Sequence, residues 1–456
     1  MPDGMQCGTI EVPLDHADPA KGTTTVAVAR LPATEPDRRI GSLLLNFGGP
    51  GAPGIEGLAD DPRLFADLGE RYDVVAFDPR GVAHSDPVTC GRDGSVVPDP
   101  NTGTAEGLAA LRAEARRCAE ASGPVFPYMG TNNVARDMEV LREALGDRKL
   151  NFLGFSYGAR LGAAYATLFP QRTGRMVLDG IDDHSDSLED RSLATARARQ
   201  RALGHFLTWC AHQDDCVYGT NSRTAKEKVA DLVERLDKKP LIAEQGPALS
   251  GWLASQIIAQ ALYTTAVWPA LADVLAQAED GDPAGMLRFA GLSGEDEESQ
   301  DEGPDPVPAD NWDAAGGAVN CVDDPDRPFD KATPAAVEKE ITALEGKLRE
   351  ASEVFGPPLL DWVLMCYGRP VSTDFLRKVD HPGAPPMLLV GTRGDPATPY
   401  EWTEDMAERL GSAVIIDHKG EGHTGYLSSS CVKGYVDHFL IDGKLPSGTR
   451  SCPAEE

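Results

Sequence analysis

Leu150-Asn151-Phe152-Leu153-Gly154-Phe155-Ser156-Tyr157-Gly158 carries an apolar, strand-sized run straight into Gly-x-Ser-x-Gly. A helix-compatible run, residues 159–169, follows. A serine between a strand and a helix requires a sharp turn. Glycines on either side remove the Cβ atoms where that turn crowds strand against helix. The serine oxygen then stands clear of the sheet edge, and the backbone N–H of Tyr157 at the helix start points to the same spot. The pattern alone recurs by chance in glycine-rich chains. Its strand–turn–helix setting is what gives it meaning here.

Working outward, residues 9–15, 23–31 and 39–47 read as strands, the third more buried than the second. The third runs into Gly48-Gly49-Pro50-Gly51-Ala52-Pro53-Gly54, where no regular structure can persist. Residues 73–77 form another short apolar strand, ending in Asp78-Pro79-Arg80-Gly81. Residues 104–121 and 132–145 are amphipathic helices, the second with Val134, Met138, Leu141 and Leu145 on one face. After the elbow comes a strand at 175–179. Buried strands alternating with amphipathic helices imply a mostly parallel sheet covered on both faces.

The rhythm breaks at about residue 184. From there to about 370 the pattern is helical, at 192–210, 225–237, 251–277 and 334–350. Strands return at 386–391 and 413–417, with a helix at 401–410 between them. The expected organisation is therefore an α/β core in two parts, 1–183 and 371–456, around an inserted helical lid at 184–370. Within the lid, residues 294–303 are acidic and free of apolar side chains, and are expected to form a solvated loop.

The chain has 456 residues, 41% hydrophobic and 25% charged, and a formal net charge of −29. Such a composition is that of a soluble globular protein. The charge argues against nucleic acid and anionic membranes as partners, since both need a basic surface. Acidity serves solubility first; a weaker reading is that it greets a cationic substrate. No apolar run approaches the roughly 20 residues that span a bilayer. Met1-Pro2-Asp3-Gly4 has neither a basic nor an apolar stretch, so no signal peptide is expected in the chain as given.

Nine cysteines point to disulfides and an oxidising compartment, hence to a secreted protein. No Cys-x-x-Cys pair suggests zinc. The expected bridges are Cys90–Cys118, Cys210–Cys216, Cys321–Cys366 and Cys431–Cys452. Cys7 is left over, as though its partner had been removed with an export signal.

A serine hydroxyl needs a base within reach, and the base needs an orienting acid. On this kind of turn the chain order is Ser, then Asp or Glu, then His. Of nine histidines, His423 in Gly422-His423-Thr424-Gly425 lies just after the final strand, with glycines that let the loop fold over the strand end. Asp395 follows the penultimate strand, 28 positions before His423. Asp179, also at a strand end, is the competing acid. Oxyanion donors are expected from the N–H groups of Gly49 and Tyr157.

Together these segments resemble the α/β-hydrolase superfamily, and within it the secreted actinobacterial tripeptidyl aminopeptidases, related to proline iminopeptidases. The resemblance runs nearly end to end. It rests on Val12-Pro13-Leu14-Asp15, Asn46-Phe47-Gly48-Gly49-Pro50-Gly51, Phe77-Asp78-Pro79-Arg80-Gly81, Gly154-Phe155-Ser156-Tyr157-Gly158, Leu178-Asp179-Gly180, Asp395-Pro396-Ala397-Thr398-Pro399 and Gly422-His423. It implies exported serine exopeptidases that remove tripeptides from free N-termini, with a helical lid over the site and neither metal nor cofactor. It also implies lid acids for the substrate ammonium, for which Asp323 and Asp324 are the candidates. One departure stands out: where a Cys-x-x-Trp-Pro segment would close the lid, this chain has Cys366-Tyr367-Gly368-Arg369-Pro370.

The expected activity is thus release of short peptides by Ser156, His423 and Asp395. The rivals are a secreted esterase or metabolite hydrolase with the same three residues, and a non-catalytic binding protein on the same scaffold. The partner in each case is a peptide or small molecule; nothing in the chain indicates an oligomeric state.

Overall fold

The computed structural model describes residues 1–91, 104–183, 185–244, 246–293, 307–324, 334–370, 374–376, 378–379, 383–448 and 450–455. Among the described residues, nine strands form one sheet: β1 (Gln6–Pro13), β2 (Thr23–Leu31), β3 (Gly41–Asn46), β4 (Tyr72–Phe77), β5 (Leu150–Phe155), β6 (Thr173–Asp179), β7 (Leu388–Gly394), β8 (Val414–Glu421) and β9 (Ser451–Cys452). Their order is β1-β2-β4-β3-β5-β6-β7-β8-β9. β1, β2 and β4 pair antiparallel, and every later pairing is parallel. The chain is an α/β-hydrolase in architecture.

The strands are apolar throughout because both faces are covered. Leu44, Phe152, Leu178 and Leu389 face helices Thr131–Ala144, Tyr157–Leu168 and Tyr400–Leu410. Their immediate neighbours Leu43, Leu45, Leu153, Val177, Leu388 and Val390 point the other way. There they meet Phe65, Leu68 and the Val432, Val436 and Phe439 face of helix Ser430–Asp442. The two-residue β9 was not anticipated. It is too short to show an alternating pattern, and is held on β8 beside the Cys431–Cys452 bridge.

Among the described residues between β6 and β7, the only β pairing is the isolated bridge Leu241–Leu249. This helical insertion has a core of its own, built on Phe206, Leu207, Val229, Leu232, Ile258 and Leu275. The expected single helix over 251–277 is two, Gly251–Ala261 and Trp268–Glu279. Pro269 cannot donate to a continuing helix, and Thr264 caps the short turn Thr265–Val267 with its side chain. Helix Asn311–Val322 was missed because two adjacent glycines weaken its propensity. Packing forms it anyway: Ala314, Ala315, Gly316, Gly317 and Ala318 are all buried. The acidic stretch 294–303 lies outside the described residues.

All four expected disulfides are formed, and Cys7 is unpaired and exposed. No helix among the described residues is long and apolar enough to cross a membrane.

Arg80 explains two of the motifs at once. It is fully buried and donates from Nε to Asp137 Oδ2 at 2.7 Å. Its Nη atoms donate to the carbonyls of Leu14 at 2.7 Å and Pro13 at 3.0 Å. The loop after β4 is thereby fastened to the end of β1 and to helix Thr131–Ala144. Replacing Asp137 by alanine would leave a buried guanidinium uncompensated. A loss of about 3–5 kcal/mol is expected, read as a lowered urea midpoint.

Candidate active site

Ser156 stands between β5 and helix Tyr157–Leu168 at φ 56° and ψ −120°, a conformation that a non-glycine residue adopts only when held there. Its N–H donates to Asp179 O at 2.8 Å. The elbow glycines are required by contact distance. A Cβ on Gly154 would lie 2.4 Å from the Gly158 carbonyl oxygen, and one on Gly158 would lie 2.5 Å from that of Asn46.

The loop after β3 meets this turn edge-on. Asn46 Oδ1 accepts from Gly48 N–H at 3.0 Å, and Asp78 Oδ1 accepts from Ile55 N–H at 3.0 Å. Gly48 lies so close to the elbow that a Cβ on it would sit 3.2 Å from Tyr157 N. Gly49, next in line, is exposed. Among the described residues, no protein acceptor meets the N–H of Gly49 or of Tyr157. Below the loop and the elbow an aromatic cluster packs Phe47 on Phe155 at 5.8 Å and Phe155 on Tyr426 at 6.1 Å. The underside of three separate loops is thus one apolar contact, a feature no local pattern reveals.

Asp395 and His423 meet at the ends of β7 and β8. His423 Nδ1 lies 2.9 Å from Asp395 Oδ2 and 3.0 Å from Oδ1. Asp395 also accepts from the N–H groups of Ala397 and Thr398 and from Thr398 Oγ, each at 2.8 Å. Burial opposes the Asp395 charge, but His423 and these donors outweigh it and hold the carboxyl below its ordinary range. Burial likewise opposes the His423 charge, and Asp395 overrides it, raising the imidazole above its usual value. An ionised Asp395 accepts a hydrogen bond from Nδ1–H, which fixes the proton there and leaves Nε2 as the acceptor on the open side. Among the described residues Ser156 Oγ makes no hydrogen bond, and the side-chain partners of His423 are Asp395 and Thr398.

Asp179 does something else. Its carboxylate accepts from Gly425 N–H at 2.9 and 3.0 Å and from Tyr426 N–H at 2.7 Å. It holds the loop that carries His423 without touching the imidazole's Nδ1. Burial pushes its pKa up to about 7, against the pull of those two N–H donors. His423 is also backed by a residue the sequence did not single out, Tyr263, whose carbonyl accepts the His423 backbone N–H at 2.8 Å.

Asp323 and Asp324 face inward. Asp323 accepts from Thr131 N–H at 3.0 Å and from Thr131 Oγ, and lies 3.6 Å from Arg160. Thr131 Oγ is in turn 3.1 Å from Tyr157 Oη. Arg160 also pairs with Asp182 at 2.7 Å, and Arg191 approaches Asp182 at 3.4 Å. Asp324 Oδ1 accepts from Leu188 N–H at 3.5 Å. The departing segment packs inward too: Arg369 is buried, with its guanidinium 5.8 Å from the Phe126 ring.

Residues 352–452 match the family described as TAP-like protein. Along its length the chain is 34% identical to the serine protease Hip1 of Mycobacterium tuberculosis, covering 99% of this chain and 88% of that protein. It is 30% identical to the tripeptidyl aminopeptidase of Streptomyces lividans, over 99% of this chain and 84% of that one. It is 33% identical to carboxylesterase B of Mycobacterium tuberculosis, over 98% and 86%.

Proposed function

Because the chain belongs to the TAP-like family of α/β-hydrolases that includes these serine proteases and tripeptidyl aminopeptidases, we propose that it is an exported serine aminopeptidase releasing short peptides, tripeptides above all, from free N-termini. The observation that carries this reading is the His423–Asp395 pair. Residues 28 positions apart meet at 2.9 Å on the sheet rim that also presents Ser156. The similarity to a serine protease and a tripeptidyl aminopeptidase, together with the four disulfides, supports the rest.

Ser156 Oγ attacks the scissile carbonyl while His423 Nε2 takes its proton. His423 then gives that proton to the leaving amine, and water repeats the sequence on the acyl-enzyme. Asp395 keeps the tautomer right and stabilises the imidazolium. Gly49 and Tyr157 donate to the oxyanion, worth a few kcal/mol each. Near the elbow, three carboxylates (Asp182, Asp323 and Asp324) accompany two guanidiniums, Arg160 and Arg191. A substrate ammonium is the proposed partner of Asp323 and Asp324, whose carboxylates would exchange a contact with Thr131, Arg160 or Leu188 for it.

A second reading, an esterase, is favoured by the carboxylesterase B relative. A tripeptide anilide and its N-acetylated form separate the two. The aminopeptidase should lose about ten- to hundredfold in kcat/KM on acetylation, the worth of one charge-assisted contact. Indifference to acetylation, with aryl esters preferred throughout, would overturn the peptidase reading.

A further inference from the structure

The break between lid helices Gly251–Ala261 and Trp268–Glu279 places Tyr263 directly on His423. The Tyr263 carbonyl accepts the backbone N–H of His423 at 2.8 Å. Its ring stands edge-on to the imidazole, with centroids 4.9 Å apart and planes at 69°. The approach is close enough that a Cβ on Gly422 would lie 2.7 Å from the same carbonyl oxygen. The remaining sides of the imidazole are core: Asp395 at Nδ1, Thr398 Oγ at 3.4 Å, and Gly180, where a Cβ would come within 3.5 Å of Cε1.

From this we infer that Tyr263 is a positioning residue: the lid supplies one wall of the histidine's socket, so the lid's seating and the base's alignment are a single event. The inference rests on the catalytic reading of His423 given above. Three sides of the socket come from the rigid ends of β6 and β7, and the fourth comes from an element that belongs to the lid. A displaced lid therefore removes both the acceptor for the His423 N–H and the ring that limits imidazole rotation. The lid then does more than cover substrate. It completes the base only when seated, and substrates that hold it seated are turned over faster.

The test compares Tyr263→Ala and Tyr263→Phe in the full chain on a tripeptide anilide. Rates are normalised to active sites counted with a fluorophosphonate, so that misfolded protein does not enter. Tyr263→Phe keeps the ring and the carbonyl and should stay within about twofold of wild type. Tyr263→Ala should lose about ten- to hundredfold in kcat, as for a misaligned base, with KM little changed. The pH profile gives a readout that a merely structural role would not move. Burial and the Asp395 carboxylate pull the imidazolium pKa in opposite directions, and removing the ring changes that balance. The acid limb of kcat/KM should then move from its wild-type position. The charged groups facing the pair are Asp395, Asp179 and Asp182 around His423, and Arg199 beside the Tyr263 hydroxyl. All of them are left intact by either variant. Gly422→Ala, which pushes on the same carbonyl from the other side, should reproduce the kcat loss. If Tyr263→Ala and Gly422→Ala both keep wild-type kcat and an unmoved acid limb, the inference is wrong. If instead His423→Ala keeps activity, it is the catalytic reading that fails.

Discussion

Replacing Ser156 by alanine is expected to lower kcat by roughly 10⁶-fold while leaving the fold intact, with a residual acceleration of about 10³–10⁴ over water from the oxyanion donors and binding. The fold should survive because the elbow is held by backbone, not by the hydroxyl. The Ser156 N–H bond to Asp179 and the glycine contacts on either side do not involve Oγ. Alanine at φ 56° bears no more strain than serine there. The measurement is single-turnover hydrolysis of a tripeptide anilide, with circular dichroism confirming structure and a fluorophosphonate confirming loss of labelling. Activity within tenfold of wild type would end the acyl-enzyme mechanism. It would leave the third possibility, a binding protein on a hydrolase scaffold.

Asp395→Asn should cost about 10⁴-fold in kcat, and the geometry says why. Oδ1 of Asp395 receives the two backbone N–H groups of Ala397 and Thr398. In the asparagine, the amide oxygen must take that position, because an NH2 group cannot accept. The NH2 then faces His423 Nδ1, which has to become the acceptor. The imidazole proton moves to Nε2, the atom that has to receive the proton of Ser156. Asp179→Asn is the control. Asp179 serves the N–H groups of Gly425 and Tyr426, and burial already places its pKa at about 7, so a neutral side chain is a mild change there. A loss within about tenfold is expected, the scale of one weakened hydrogen bond. If the two asparagine variants exchanged these magnitudes, the acid would be Asp179, and the assignment made from the pair distances would be wrong.

These two substitutions mark how far local reading reaches. Both aspartates end a parallel strand, and both are followed by a turn; chain order and the 28-residue spacing to His423 favour Asp395 and leave Asp179 as its competitor. The choice between them depends on which strand end the last loop folds toward. Gly425 and Tyr426 go to Asp179, and His423 goes to Asp395, within a span of four residues. Tyr263 was hidden for a related reason. The apolar pattern over 251–277 continues across the break, and only Pro269 and the Thr264 cap divide it. Asp323 and Asp324 read as acids available to a ligand, yet they sit among Thr131, Leu188 and Arg160 once the lid folds onto the core.

The amino-acid order by itself settled the things that neighbours along the chain decide. Strands buried on both faces are continuous apolar runs, the elbow's glycines are needed within five residues of one another, and cysteines close in sequence find each other. The α/β-hydrolase architecture, the inserted helices and Ser156 follow from those. What folding alone decided was which groups from distant segments share a charge or a wall: the Gly425 and Tyr426 N–H groups on Asp179, Tyr263 behind the imidazole, and Arg160 against Asp323. Coulombic and packing energies depend on separation in space, falling off over a few ångströms, and separation along a chain that crosses the sheet repeatedly says almost nothing about it.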